Sequence, residues 1–236
     1  MLYATKPEAV IVIDDRLAEP GAALISFLNA HVSNLASRTP ALKAILNQSI
    51  VLNDGIGVSL ASRLLHGANF PDNLQGTNFT PQFLHDTRHQ FRIFTIGSAP
   101  GVAQRACRNL QKQAPRHDYV GAVDGFSGIK NVPALLNRIR SSGANLVLVG
   151  MGSPKQEIWA HQHIVGELGV SAFCVGGFLD FISGEKPRAP LWVQKLRCEW
   201  IFRLIVEPSR LWRRYLIGNP QFMARLVRAV RQARQA

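Results

Sequence analysis

The sequence predicts an α/β fold: a Rossmann-like parallel sheet with helices on both faces, followed by a basic helical C-terminal appendage. Two observations predict it. Short apolar or β-branched runs alternate with helix-compatible segments up to about residue 185 of the 236-residue chain, and such strand-turn-helix repetition lays a parallel sheet between two helical layers. The charge is also lopsided: residues 186–236 hold 12 of the 27 Lys+Arg but 2 of the 15 Asp+Glu, a net +10 against +2 for residues 1–185. The expected division is a near-neutral core, 1–185, and a cationic appendage, 186–236.

Residues 9–13, 23–28, 50–52, 91–96, 119–122, 145–149 and 171–175 are the expected strands. Residues 58–65, 102–113, 132–141 and 155–165 are expected helices among them, and sites in such sheets lie beyond the carboxyl ends of the strands. Gly184 to Pro190, with prolines at 187 and 190, reads as a linker. Beyond it residues 191–206, 210–217 and 221–235 read as helices punctuated by Pro208 and Gly218-Asn219-Pro220. Arg210, Arg213 and Arg214, related by three and four, are expected on one face of a turn. Arg225, Arg228, Arg231 and Arg234 form a basic stripe opposite Phe222, Leu226, Val227 and Val230, which makes the tail amphipathic.

With 47% hydrophobic and 18% charged residues, the chain can bury a full core and is not disordered over most of its length. Cys107, Cys174 and Cys198 are odd in number and far apart, which points to reduced thiols in a cytoplasmic protein, with no disulfide frame and no zinc site. His161 and His163 are two apart and so point to different helix faces, which disfavours a metal pair. The apolar run 9–13 is too short for a signal sequence. No stretch approaches the roughly 18 to 20 apolar residues that span a bilayer. Trp192, Trp200, Trp212 and Tyr215 interleave the tail's cations, so an anionic surface or ligand is the expected partner.

Four motifs follow strands. Asn53-Asp54-Gly55-Ile56-Gly57 places a carboxylate at a strand end beside a helix start, where it either caps the helix or acts on a ligand. Its glycines lack the third of G-x-G-x-x-G, since Leu60 stands there. Gly97-Ser98-Ala99-Pro100-Gly101 lets backbone amides approach a pyrophosphate or makes an ordinary tight turn. In Gly150-Met151-Gly152-Ser153-Pro154-Lys155-Gln156-Glu157, Ser153 can cap a helix with Pro154 at its first position; the cap leaves Gln156 and Glu157 unexplained. Gly176-Gly177-Phe178-Leu179-Asp180 sets an acid among aromatics, either as helix-entry acid or as a partner for something polar.

In this order, with Phe27-Leu28-Asn29-Ala30 and Asn73-Leu74-Gln75-Gly76-Thr77 before them and Glu199-Trp200-Ile201-Phe202-Arg203 and Glu207 to Tyr215 behind, these motifs resemble the WecG/TagA/CpsF glycosyltransferases, glycosyltransferase family 26. The resemblance runs from about residue 9 to about residue 222. It implies inverting, metal-independent transfer of a hexose from a UDP-sugar to a polyprenyl-diphosphate-linked saccharide, at the inner face of the cytoplasmic membrane. By the resemblance, Asp54 is the catalytic base and Arg203, Arg210 and Arg213 serve catalysis from the appendage. The resemblance implies a uridine-diphosphate pocket that includes Asn29, Gln156 and Asp180, the strand-end motifs add Gly97, Gly152 and Glu157 as expected members, and no cofactor or metal is expected. Phe27 stands where many members have Thr, Asn73 where they often have Arg, and Asn78 where they often have Asp. The wording around Phe27 is similar to a GumM-like, β-1,4-glucosyltransferase branch, so UDP-glucose is the expected donor, with UDP-N-acetylmannosamine or its uronate as the alternative.

The residues suit that chemistry. A strand-end carboxylate can take an acceptor hydroxyl proton. No Asp-x-Asp sequence occurs, so side-chain cations and helix termini are left to compensate the leaving diphosphate. Trp200, Trp212, Leu216 and Phe222 are expected to enter a headgroup layer beside arginines that meet anionic lipid. The competing readings are a nucleic-acid-binding module and a nucleotide-dependent oxidoreductase. The first is disfavoured by amphipathic, aliphatic-rich tail helices, and the second by the missing glycine. A homo-oligomer is compatible with the sequence.

Overall fold

A computed structural model of the chain describes residues 1–190, 192–193, 199–233 and 235. Six strands make one sheet: β1 (Leu24–Leu28), β2 (Ile50–Asn53), β3 (Arg92–Gly97), β4 (Asp118–Val123), β5 (Leu146–Gly150) and β6 (Ser171–Cys174). Their order is β2-β1-β6-β5-β3-β4, with every neighbouring pair parallel. Successive side chains of a strand point to opposite faces. Along β5, Leu146 and Leu148 therefore join one core layer with Ile25, Phe83 and Phe173, while Val147 and Val149 join another with Phe94, Ile139 and Ile164. Both layers are apolar because helices cover both faces, which is why residues 146–149 read as an unbroken apolar run. Phe79, Phe83, Phe94 and Phe173 are fully buried, each contributing roughly 1.5 to 3 kcal/mol by removal from water.

The expected strand at 9–13 is instead part of α1 (Lys6–Ala18). Ala9, Val10 and Ile13 are buried while Ile11 and Val12 are exposed, which is helical spacing. The helix begins where the Glu8 carboxylate accepts from both the Thr5 amide and the Thr5 hydroxyl at 2.8 Å, with Pro7 in the first turn. Helices α2 (Ala30–Ala36), α3 (Pro40–Asn47), α4 (Ile56–His66), α5 (Gly76–Asp86), α6 (Val102–Gln113) and α7 (Val132–Ser141) follow. Then come α8 (Lys155–Trp159), which runs on as a π-helical segment Ala160–Glu167, and α9 (Phe178–Ile182). Ser153 does not cap α8. Pro154 holds the cap position, and the Ser153 hydroxyl turns to donate to Glu157 Oε1 at 2.6 Å.

The appendage comprises α10 (Glu199–Val206), α11 (Pro208–Trp212), a π-helical turn Arg213–Ile217 and α12 (Gly218–Ala233). Of the helix expected over 191–206, residues 191 and 194–198, with Cys198, lie outside the described residues, as does Arg234. Gly218-Asn219-Pro220 does not interrupt the helix. A proline ring clashes with the carbonyl four residues earlier, and the wide π turn lies in that stretch; the Gly218 carbonyl accepts from Asn34 Nδ2 at 2.7 Å. Phe222 and Leu226 are buried against the core, and Arg225 donates to Ser33 O and Asn34 Oδ1. Phe222 is thus unavailable to lipid, Arg225 is drawn out of the basic stripe, and Val227, expected on the apolar side, is 44% exposed.

Candidate active site

The carboxyl ends of all six strands open into one cavity of about 560 Å³. Strand β1 delivers Phe27 and Asn29, β2 Asp54, β3 Ser98, β4 Gly125, β5 Gly152 and β6 Gly176, while the appendage closes the wall with Arg203, Arg210 and Arg214. A second chamber of about 340 Å³ lies between α4 and the appendage, lined by Ile56, Leu60, Trp200, Tyr215 and Met223 among others. Asn29, His31, Asp54, Gln75, Arg203 and Arg214 line both. A chamber rich in cations and one partly walled by apolar side chains therefore meet at Asp54, the carboxylate that lines both.

That carboxylate is held in place by local chemistry. The Asp54 amide donates to Leu28 O at 2.9 Å, continuing the β1–β2 ladder by one residue. Asn29, whose Oδ1 caps α2 through the Val32 amide at 3.0 Å, donates its Nδ2 to Asp54 Oδ2 at 3.0 Å. Asn73 Oδ1 accepts from the Gly55 amide at 2.9 Å and fixes the following turn. Removal from water raises the Asp54 pKa above the usual carboxylate range, against the lowering pull of Asn29, Arg214 and Arg203. Burial, with Arg214 beside it, lowers His31 to about 4, so the imidazole is neutral at neutral pH.

The glycine loops are tied together from below. Gln156 Oε1 accepts from the Gly152 amide at 3.2 Å and the Gly176 amide at 3.1 Å, and its Nε2 donates to Glu157 Oε1 at 2.8 Å. Glu157 is fully buried beneath the cavity, does not line it, and burial raises its pKa. The Ser98 amide is also committed, to Gly150 O at 2.9 Å. Gly97 likewise lies behind the cavity wall: at φ +144° a Cβ there would come within 2.2 Å of Gly150 O. Gly97→Ala is therefore expected to cost on the order of 3 kcal/mol and to lower the thermal midpoint by roughly 6 to 12 °C. An unchanged midpoint in a calorimetric scan would contradict that close approach.

With those amides engaged, cations dominate the wall. Arg203 stacks over the Phe181 ring at 5.3 Å, and a Cβ on Gly177 would meet its Nη2 at 3.2 Å, so the bare backbone of Gly177 makes room for it. Arg203 Nε and Arg214 Nε are buried and have no hydrogen-bond partner among the described residues, leaving donors for an anion. Asp180 lines the cavity and pairs with Lys186 Nζ at 3.3 Å. Arg213 is not at the cavity. Its guanidinium lies over the exposed Trp212 ring at 5.2 Å, and Arg214 takes the inward position. Sequence reasoning assigned none of His31, Gln75, Lys186, Glu199 and Arg214 to the site, although Gln75, Glu199 and Arg214 stand in the motifs it quoted. Gln75 Nε2 donates to the buried Glu199 at 2.8 Å, joining core to appendage.

The family model described as "Glycosyl transferase WecG/TagA/CpsF family" matches residues 3–236. A Bacillus spizizenii protein named N-acetylglucosaminyldiphosphoundecaprenol N-acetyl-beta-D-mannosaminyltransferase is 28% identical over 210 residues, covering 87% of this chain and 79% of its own length. A Staphylococcus aureus protein of the same name is 30% identical over 217 residues, covering 88% and 81% respectively.

Proposed function

Because the chain belongs to the WecG/TagA/CpsF glycosyltransferase family, we propose that it moves an N-acetylmannosaminyl group from a UDP donor to N-acetylglucosamine on a polyprenyl diphosphate, with Asp54 as base. The observation that carries this reading is the placement of Asp54 at the meeting of two chambers. The donor's diphosphate lies among Arg203, Arg210 and Arg214, and the acceptor enters through the second chamber, past Ile56, Leu60 and Met223. Asp54 takes the proton of the attacking hydroxyl as the donor's anomeric bond to UDP breaks, and attack from the face opposite UDP inverts the anomeric centre. The arginines compensate charge growing on the leaving diphosphate. They face inward on a concave wall, which suits a small anion better than a nucleic-acid duplex.

The relatives' names favour the mannosaminyl donor. Glucose transfer from UDP-glucose is the second reading, supported by Phe27 in the cavity wall and by Asn73, whose short amide is spent on Gly55. No helix among the described residues is long and apolar enough to cross a membrane. Exposed Ile205, Trp212, Leu216 and Ile217, together with the exposed Arg228 and Arg231 of the same appendage, support peripheral docking of the appendage on an anionic bilayer that carries the lipid-linked acceptor.

A panel of UDP-sugars offered with a detergent-dispersed polyprenyl-diphosphate acceptor tests the reading. Product from UDP-N-acetylmannosamine is expected, and it is expected to persist in excess EDTA, since cationic side chains do the work of a metal. Product from UDP-glucose alone would move the assignment to the second reading. Loss in chelator that magnesium restores would refute the metal-independent scheme.

A further inference from the structure

Besides the arginines, the cavity wall carries Lys155, which donates to Gly125 O at 3.1 Å, and Lys186. Lys186 belongs to the stretch between core and appendage that reads in the sequence as a mere linker. Its Nζ lies 3.3 Å from Asp180 Oδ2 and 2.5 Å from Glu207 Oε1, and Glu207 Oε2 lies 2.5 Å from Arg210 Nη2. Glu207 itself stands at the joint between α10 and α11, where its amide donates to Arg203 O at 2.9 Å, and it does not line the cavity. A row Asp180–Lys186–Glu207–Arg210 thus crosses from core to appendage, with both cations toward the cavity and Glu207 behind them.

Two cations facing one cavity repel each other, and a carboxylate between them offsets the repulsion and fixes their spacing. An ammonium has three donors. Asp180 and Glu207 engage two of Lys186's, which leaves one for a ligand. Burial alone would raise the Glu207 pKa, yet its hydrogen bonds and ion pairs with Arg210 and Lys186 hold it below the usual carboxylate value, so the bridge is charged at neutral pH. We infer that Lys186 is a phosphate-binding residue of the donor site and that Glu207 is the positioning residue that pairs it with Arg210. The inference rests on the UDP-donor reading above and extends it to two residues on either side of the core–appendage joint.

Calorimetric titration of the full chain with UDP and with uridine tests it. Lys186→Met is expected to weaken UDP roughly tenfold, the scale of a charge-assisted hydrogen bond, and to leave uridine affinity unchanged. Lys186→Arg is expected to keep most of the UDP affinity. Glu207→Gln gives the sharper contrast. It adds one net positive charge near an anionic ligand, so a purely electrostatic role predicts tighter UDP binding. Positioning predicts weaker binding, by several-fold, as Lys186 and Arg210 drift apart. Equal weakening of UDP and uridine by Lys186→Met, unchanged UDP affinity in that variant, or tighter UDP binding by Glu207→Gln would each overturn the inference while leaving the UDP reading intact. A wild-type chain that binds no UDP would remove both.

Discussion

Asp54→Asn is expected to lower turnover by roughly 10²-fold or more while UDP affinity stays within a few-fold of wild type. The amide keeps the shape of the side chain and can still contact Asn29, but it cannot take a proton. It also removes a negative charge beside Arg203 and Arg214, which favours an anionic ligand if it changes binding at all. The pH dependence supplies an independent readout. Burial raises the Asp54 pKa, and only the deprotonated carboxylate is a base. Turnover should therefore climb with pH through a limb above the usual carboxylate range and then level off, and the limb should vanish in the Asn variant. Near wild-type turnover of Asp54→Asn at saturating donor would exclude Asp54 as the base.

How far such a site could be read from sequence depended on whether its signal was local. The strand at 145–149 was legible because burial on both faces of β5 forces an unbroken apolar run. The same kind of run at 9–13 misled, since five apolar residues carry no period of their own; the decisive signal was Thr5 with Pro7 and Glu8 just upstream. Asp54 was visible because a strand end followed by two glycines is a local feature. Gln156 was picked out, but its task was hidden, for its partner Gly176 is twenty residues away in the loop after β6. Lys186 and Glu207 meet only when the appendage folds back on the core.

The appendage arginines show the limit most sharply, and they set the second large expectation. Spacing by three and four put Arg210, Arg213 and Arg214 on one face, but where α11 passes into the π turn Arg213–Ile217 the side chains part, Arg214 lining the cavity and Arg213 turning outward. Arg214 consequently faces Asp54 and Arg213 faces Trp212. Arg214→Ala is expected to reduce turnover on the order of 10² to 10³-fold, the loss typical of a preorganised donor to a developing oxyanion. Arg213→Ala should stay within a few-fold, because it gives up only an exposed cation–π contact. Arg214 also holds the Asp54 pKa down, so its removal should shift the acidic limb of the pH profile upward, an effect that simple loss of packing would not produce. Arg214→Lys, which keeps the charge but not the fork, should recover the limb's position and part of the rate. If Arg213→Ala fell as far as Arg214→Ala, or if Arg214→Ala kept both its rate and its pH profile, the cation at the junction would have to be sought elsewhere.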